Sequence, residues 1–210
     1  GTRDLDYIFM NLIVHLEDTG TIYDLSERGI TKMLDTGIYG NATNYLAPDF
    51  SPDDDRYALM TRRSGQNWLS VEGLDGSGSI SLVSRKGMSS FKWSPDGNHI
   101  ALLSSSDDSL IYDHLSLVDP NNGSERMLAR GDMIAFWWSP NSQYIVTVDR
   151  HPDLAEAMRW TSIDLATGSG RALINLIPSS EFGFLQTYFS QYAQSHELWS
   201  PDSTSLVMAG

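Results

Sequence analysis

Short apolar runs separated by polar turns recur along the chain. The clearest series starts at Ile100-Ala101-Leu102-Leu103, passes a polar loop at 104–109, resumes over 110–119, breaks at Pro120-Asn121-Asn122-Gly123 and ends in Glu125-Arg126-Met127-Leu128. Runs of this length bounded by turn residues read as strands. They predict an inner strand ending at Trp93, a second from Ile100, a third over 112–118 and an outer fourth around 126–128. The turn before Ile100 is Trp93-Ser94-Pro95-Asp96-Gly97, and variants of it occur at Phe50-Ser51-Pro52-Asp53, Trp138-Ser139-Pro140-Asn141 and Trp199-Ser200-Pro201-Asp202. In every copy an apolar run begins six positions after the serine.

These serines stand at 51, 94, 139 and 200, giving intervals of 43, 45 and 61 residues. A period of about 40 to 50 residues is that of a propeller blade of four strands. Proline fixes φ and has no N–H to donate, so it suits the turn and would damage a ladder. The adjoining Asp or Asn can accept from a backbone N–H two residues on, and Gly97 takes positive φ without penalty. Asp54, Ser142 and Ser203 at the Gly97 position show that glycine is not obligatory. The aromatic ahead of each serine is placed to cover the junction between neighbouring sheets, a burial worth roughly 1.5–3 kcal/mol each. The competing use, a carbohydrate platform or peptide cage, is disfavoured by recurrence in register.

The expected fold class is all-β, a propeller of four-stranded antiparallel blades amounting to about four blades, either a small ring or a fragment of a larger one. An incomplete blade is expected over about 1–35, with strands at 12–16, 21–25 and 30–34. Blades follow over about 45–87, 88–130 and 131–177, then an aromatic insertion at 178–196 and an incomplete blade at 197–210, all within one domain. The fourth blade opens at 133–138 and carries an insertion at 149–157, read as a hairpin tip or one helical turn. A fragment would leave blade edges exposed and open to self-association.

Charge narrows the partners. The chain has 27 acidic and 14 basic side chains, a formal net charge of −13, and only three lysines, Lys32, Lys86 and Lys92. Such a surface repels phosphates and disfavours nucleic acid. Cysteine is absent, which removes disulfides, thiol catalysis and thiolate zinc sites. No window is apolar enough over 18 residues to span a membrane.

No catalytic, cofactor-binding or metal cluster is found, and no cofactor is expected. The five histidines, His15, His99, His114, His151 and His196, lie in different blades or loops. Adjacency of Asp113 and His114 on a strand predicts opposite faces. Asp53-Asp54-Asp55 does not follow the calcium-loop pattern. Neither a Gly-x-Ser-x-Gly elbow nor a phosphate loop with a following lysine occurs. Candidate partner-binding residues therefore sit on the two insertions: His151 on the first, and Phe182, Phe184, Tyr188, Phe189 and Tyr192 on the second.

At Trp93-Ser94-Pro95-Asp96-Gly97-Asn98-His99-Ile100-Ala101 the chain resembles the repeat of the TolB-like, WD40-like (PD40-type) β-propellers, in which this motif closes the innermost strand and opens the second. Leu117-Val118-Asp119 with Gly123 resembles the third strand and outer turn of that repeat. The resemblance implies a non-catalytic scaffold that binds proteins or peptides, periplasmic or extracellular. It also admits the gate propeller of a prolyl-oligopeptidase-type serine peptidase, or a carbohydrate-active propeller such as a polysaccharide lyase.

Overall fold

The structure is a computed structural model that describes residues 21–26, 29–35, 48–106, 111–180 and 197–208. The strand expected at 12–16 and the aromatic residues 182–192 lie outside these. Strands β1 (Thr21–Ser26) and β2 (Gly29–Asp35) form an antiparallel hairpin with a register shift after Ile22. A four-stranded antiparallel sheet follows, in the order β3 (Asp49–Phe50), β4 (Arg56–Arg63), β5 (Gln66–Gly73) and β6 (Ser79–Arg85).

The next seven strands are hydrogen-bonded in chain order: β7 (Ser89–Trp93), β8 (Ile100–Ser104), β9 (Tyr112–Val118), β10 (Glu125–Trp138), β11 (Tyr144–Arg150), β12 (Met158–Asp164) and β13 (Gly170–Leu176). Seven strands make two quartets because β10 belongs to both. Its first half pairs with β9, from Glu125↔Val118 to Arg130↔His114, and its second with β11, from Ala135↔Val148 to Trp138↔Ile145. Met133 faces Tyr112 on one side and Asp149 on the other. The outer strand near 126–128 and the opening strand at 133–138, expected as separate, are thus one 14-residue strand. Register shifts at Met127/Ala129, Arg130/Met133 and Met133/Ala135 bend and twist it, as bulges do, so one backbone passes from sheet to sheet without a loop.

Apolar alternation explains the packing. Every residue of β8 is buried, as its unbroken Ile-Ala-Leu-Leu run requires. Ile100 and Leu102 face Ala58, Met60, Leu69 and Val71 of the preceding sheet, together with Phe91 and Trp93. Ala101 and Leu103 face the other way, into the core with Leu115, Phe136, Val146 and Trp160. Within it Trp137 and Trp160 stack, with centroids 5.6 Å apart and an interplanar angle of 13°. The last repeat adds Leu198, Trp199 and Leu206 to this core, but its strand expected from Leu206 is reduced to the single bridge Trp199↔Leu206.

Candidate functional site

All four marker turns are built alike. The backbone N–H three residues after the serine donates to its carbonyl, as Gly97 to Ser94 at 2.9 Å, and the serine N–H donates to the carbonyl five residues on, as Ser94 to His99 at 2.8 Å. The hydroxyls of Ser51, Ser94, Ser139 and Ser200 donate to Asp53, Asp96, Asn141 and Asp202 at 2.5, 2.6, 2.8 and 2.6 Å. They accept in turn from the N–H of Arg56, His99, Tyr144 and Ser205 at 3.1, 3.0, 2.9 and 2.9 Å. Each acid or amide then accepts from the N–H two residues on. Ser51, Ser94 and Ser139 are buried with their hydroxyls both donating and accepting, which is the condition for burying them.

Neighbouring turns are also joined to each other. The Trp93 indole donates to the Asp49 carbonyl at 3.0 Å, and the Trp138 indole donates to the Lys92 carbonyl at 3.2 Å, the same step one repeat later. Asp49 further accepts from the Trp93 N–H at 2.6 Å and from Lys92 Nζ at 2.5 Å. Arg56 lies over the Trp93 ring, 5.3 Å from its centroid. The residue at the Gly97 position has positive φ in every copy: Asp54 59°, Gly97 73°, Ser142 57° and Ser203 60°. Ser142 Oγ accepts from the Asp96 N–H at 3.0 Å, and Ser203 Oγ from the Asn141 N–H at 3.1 Å. Repeat spacing hides these cross-links, because they join positions 46 and 62 residues apart. The signal for them is the pair of serines in a left-handed slot where glycine is cheaper.

Between the turns opens a cleft of about 300 Å³. Its walls are Trp93 and Pro95, Trp138 and Pro140, and Leu198 and Trp199, with Lys92 and Glu197 as its charged members. Three successive markers thus contribute equivalent aromatic residues to one concavity, so residues whose recurrence in register spoke for covering sheet junctions also wall a mainly apolar cleft, as recognition pockets are lined. Trp199 stacks on Tyr144 at 6.5 Å between centroids, and its indole N–H has no hydrogen-bond partner among the described residues.

The first insertion is a hairpin tip over 151–157, closed by His151 N–H to the Ala157 carbonyl and Ala157 N–H to the Leu154 carbonyl, both 2.9 Å. His151 Nδ1 accepts from the Asp153 N–H at 3.1 Å, so its ring braces the loop, and Leu154 projects 57% exposed. Asp149 and Arg150, expected in this insertion, end strand β11 instead. His151 is not among the cleft-lining residues.

His114 and Asp113 do not diverge as their adjacency predicts, for His114 Nδ1 contacts Asp113 Oδ1. The strand begins at Tyr112, and there Asp113 turns back to take the Ser106 N–H and hydroxyl at 2.9 and 2.5 Å. Close by, Arg85 of β6 bridges the sheets, contacting Glu125 and donating to Ser104 Oγ at 3.2 Å. Asp53 is occupied by its own turn. Among the described residues no three His, Asp or Glu side chains are grouped to hold a metal ion, and no helix is long and apolar enough to cross a membrane.

No family model matches the chain, and no curated protein matches it in sequence. Solved structures do match. Oligogalacturonate lyase from Vibrio parahaemolyticus is 10% identical with a TM-score of 0.64, covering 94% of this chain and 54% of that one. TolB from Acinetobacter baumannii is 20% identical with a TM-score of 0.56, over 80% of this chain and 41% of that one. The β-propeller domain of the Trilobed protease from Pyrococcus furiosus is 14% identical with a TM-score of 0.55, over 77% and 51%. The chain therefore spans about half the length of these three structures. Sheets of four antiparallel strands, joined in register by their Ser-Pro turns, have the fold of a TolB-like β-propeller.

Proposed function

We propose that this chain is a non-catalytic binding module that takes a protein or peptide partner at the cleft between its marker turns. The observation that carries this reading is the cleft itself, in which Trp93, Trp138 and Trp199 from successive repeats meet Pro95, Pro140 and Leu198. Aromatic and proline walls already fixed by packing cost little conformational entropy on binding, and an apolar lining favours a short apolar segment over a small polar ligand. The exposed Leu154 loop offers a second contact. A net charge of −13 selects partners with basic flanks.

The test is selection of peptides from a random displayed library, followed by titration against tryptophan fluorescence. Selected peptides are expected to lose at least tenfold in affinity with Leu198→Glu, since burying an unpaired carboxylate in an apolar wall is costly. Peptides that bind the variant as well as the wild type would place recognition elsewhere.

A second reading is a propeller domain within a larger hydrolase, favoured by the fold shared with the Trilobed protease domain. It predicts that the gene's reading frame continues into a hydrolase domain. The likeness to oligogalacturonate lyase supports a carbohydrate-active alternative in the same coarse sense, tested by metal-dependent cleavage of oligogalacturonate.

A further inference from the structure

Ten residues beyond the first three marker serines stand Thr61, Ser104 and Asp149. The first two are neutral hydroxyls, but the third is an acid that is only 6% exposed. Its side-chain partners are distant. The Thr147 hydroxyl reaches Oδ2 only at 3.5 Å, and Arg159, directly opposite on β12, stops at 4.0 Å, with its own Nε buried and without a partner among the described residues. From β10 comes Asp132, whose charge opposes ionisation of Asp149 and which Arg150 of β11 approaches at 3.8 Å. The backbone of β10 crosses directly over the carboxyl, since a Cβ on Gly131 would lie 3.2 Å from Asp149 Oδ1. That crossing is where β10 shifts register between the two quartets.

We propose that Asp149 is a protonation switch at the junction of the two quartets: neutral, it packs beneath the β10 bend, and ionised, it loosens that bend. This goes beyond the binding reading and does not depend on it. Burial pushes the carboxyl above its ordinary range, Arg159 and Thr147 offset only part of this, and Asp132 adds to it. The native state therefore keeps a proton that the unfolded chain has already released. Its contribution is fully present below the unfolded value of about 3.9 and declines as pH rises through the native value.

The experiment is thermal melting of the full chain and of Asp149→Ser and Asp149→Asn from pH 4 to 8, with amide exchange on residues 131–133. Serine is what the preceding repeat uses at this place, and asparagine keeps the shape without the charge. The melting temperature of the wild type is expected to fall by roughly 3 °C or more relative to either variant as pH rises. Exchange at 131–133, corrected for its intrinsic pH dependence, is expected to quicken in the wild type alone. Parallel melting curves would overturn the switch. So would a wild type that gains on the variants with rising pH, which is the signature of a formed Asp149–Arg159 ion pair. Should neither variant fold, wild-type exchange at 131–133 decides, and a pH-independent value overturns the proposal.

Discussion

Ser142 and Ser203 hold a left-handed backbone that costs a non-glycine residue about 1 kcal/mol or more, and each uses its hydroxyl to tie its turn to the one before. Gly97 in the same slot has no such atom and instead sits against Pro52, with 3.5 Å between that ring and the site a Cβ would take. Two opposing effects thus meet at one side chain. Ser142→Ala keeps the strain and loses the bond, whereas Ser142→Gly loses the bond but relieves the strain. Chemical denaturation should therefore find the alanine variant less stable than the glycine variant by about 1 kcal/mol, the reverse of the order in a helix or strand. The Ser-Pro-Asx grammar is plain in the sequence, because each residue there serves its own turn. The bond from Ser142 to Asp96 is not, because it exists only once two repeats have packed.

At the scale of elements, apolar runs bounded by turns place the start of β8 and both ends of β9. This signal fails at β10, where Arg130-Gly131-Asp132 has the composition of a loop but is held in strand by Tyr112 and Asp149 on either flank of Met133. It also misplaces Asp149, which reads as a loop residue and is buried by Gly131 passing over it. Contacts between sheets override local composition in both cases. A further one sits at the outer turn, where Gly123 has φ of 73° and a Cβ would fall 2.7 Å from the Leu82 carbonyl of β6. Strain and collision with backbone add there. Gly123→Ala should lower the denaturation midpoint, a loss of about 1–3 kcal/mol, while Gly168→Ala, with positive φ but open space, should cost less.

For the whole molecule, the marker turns contribute to the acid limit, alongside Asp75 and Asp164, whose carboxyls are also held low by hydrogen bonds, and Asp113 and Glu125, where burial pushes upward but hydrogen bonds outweigh it. The Ser51 hydroxyl holds the Asp53 carboxyl below its usual range, and the Ser200 hydroxyl with Thr204 does the same for Asp202. At Asp96 burial pushes upward, but the Ser94 hydroxyl and Asn98 outweigh it. Carboxylates with depressed native values stabilise the fold above the unfolded value of about 3.9 and cease to do so as pH falls through the native values. Stability should therefore drop on acidification from about pH 4 toward pH 2. A combined Asp53→Asn, Asp96→Asn, Asp202→Asn variant should show a shallower drop in pH-dependent melting, with its turns preserved, since Asn141 already fills that place with a 2.8 Å bond from Ser139.

The strand shared by two quartets has a mechanical meaning. Force applied at one blade reaches the other along covalent backbone rather than across a compliant linker. The pair should yield in one rupture event and present no protease-sensitive hinge between Glu125 and Trp138.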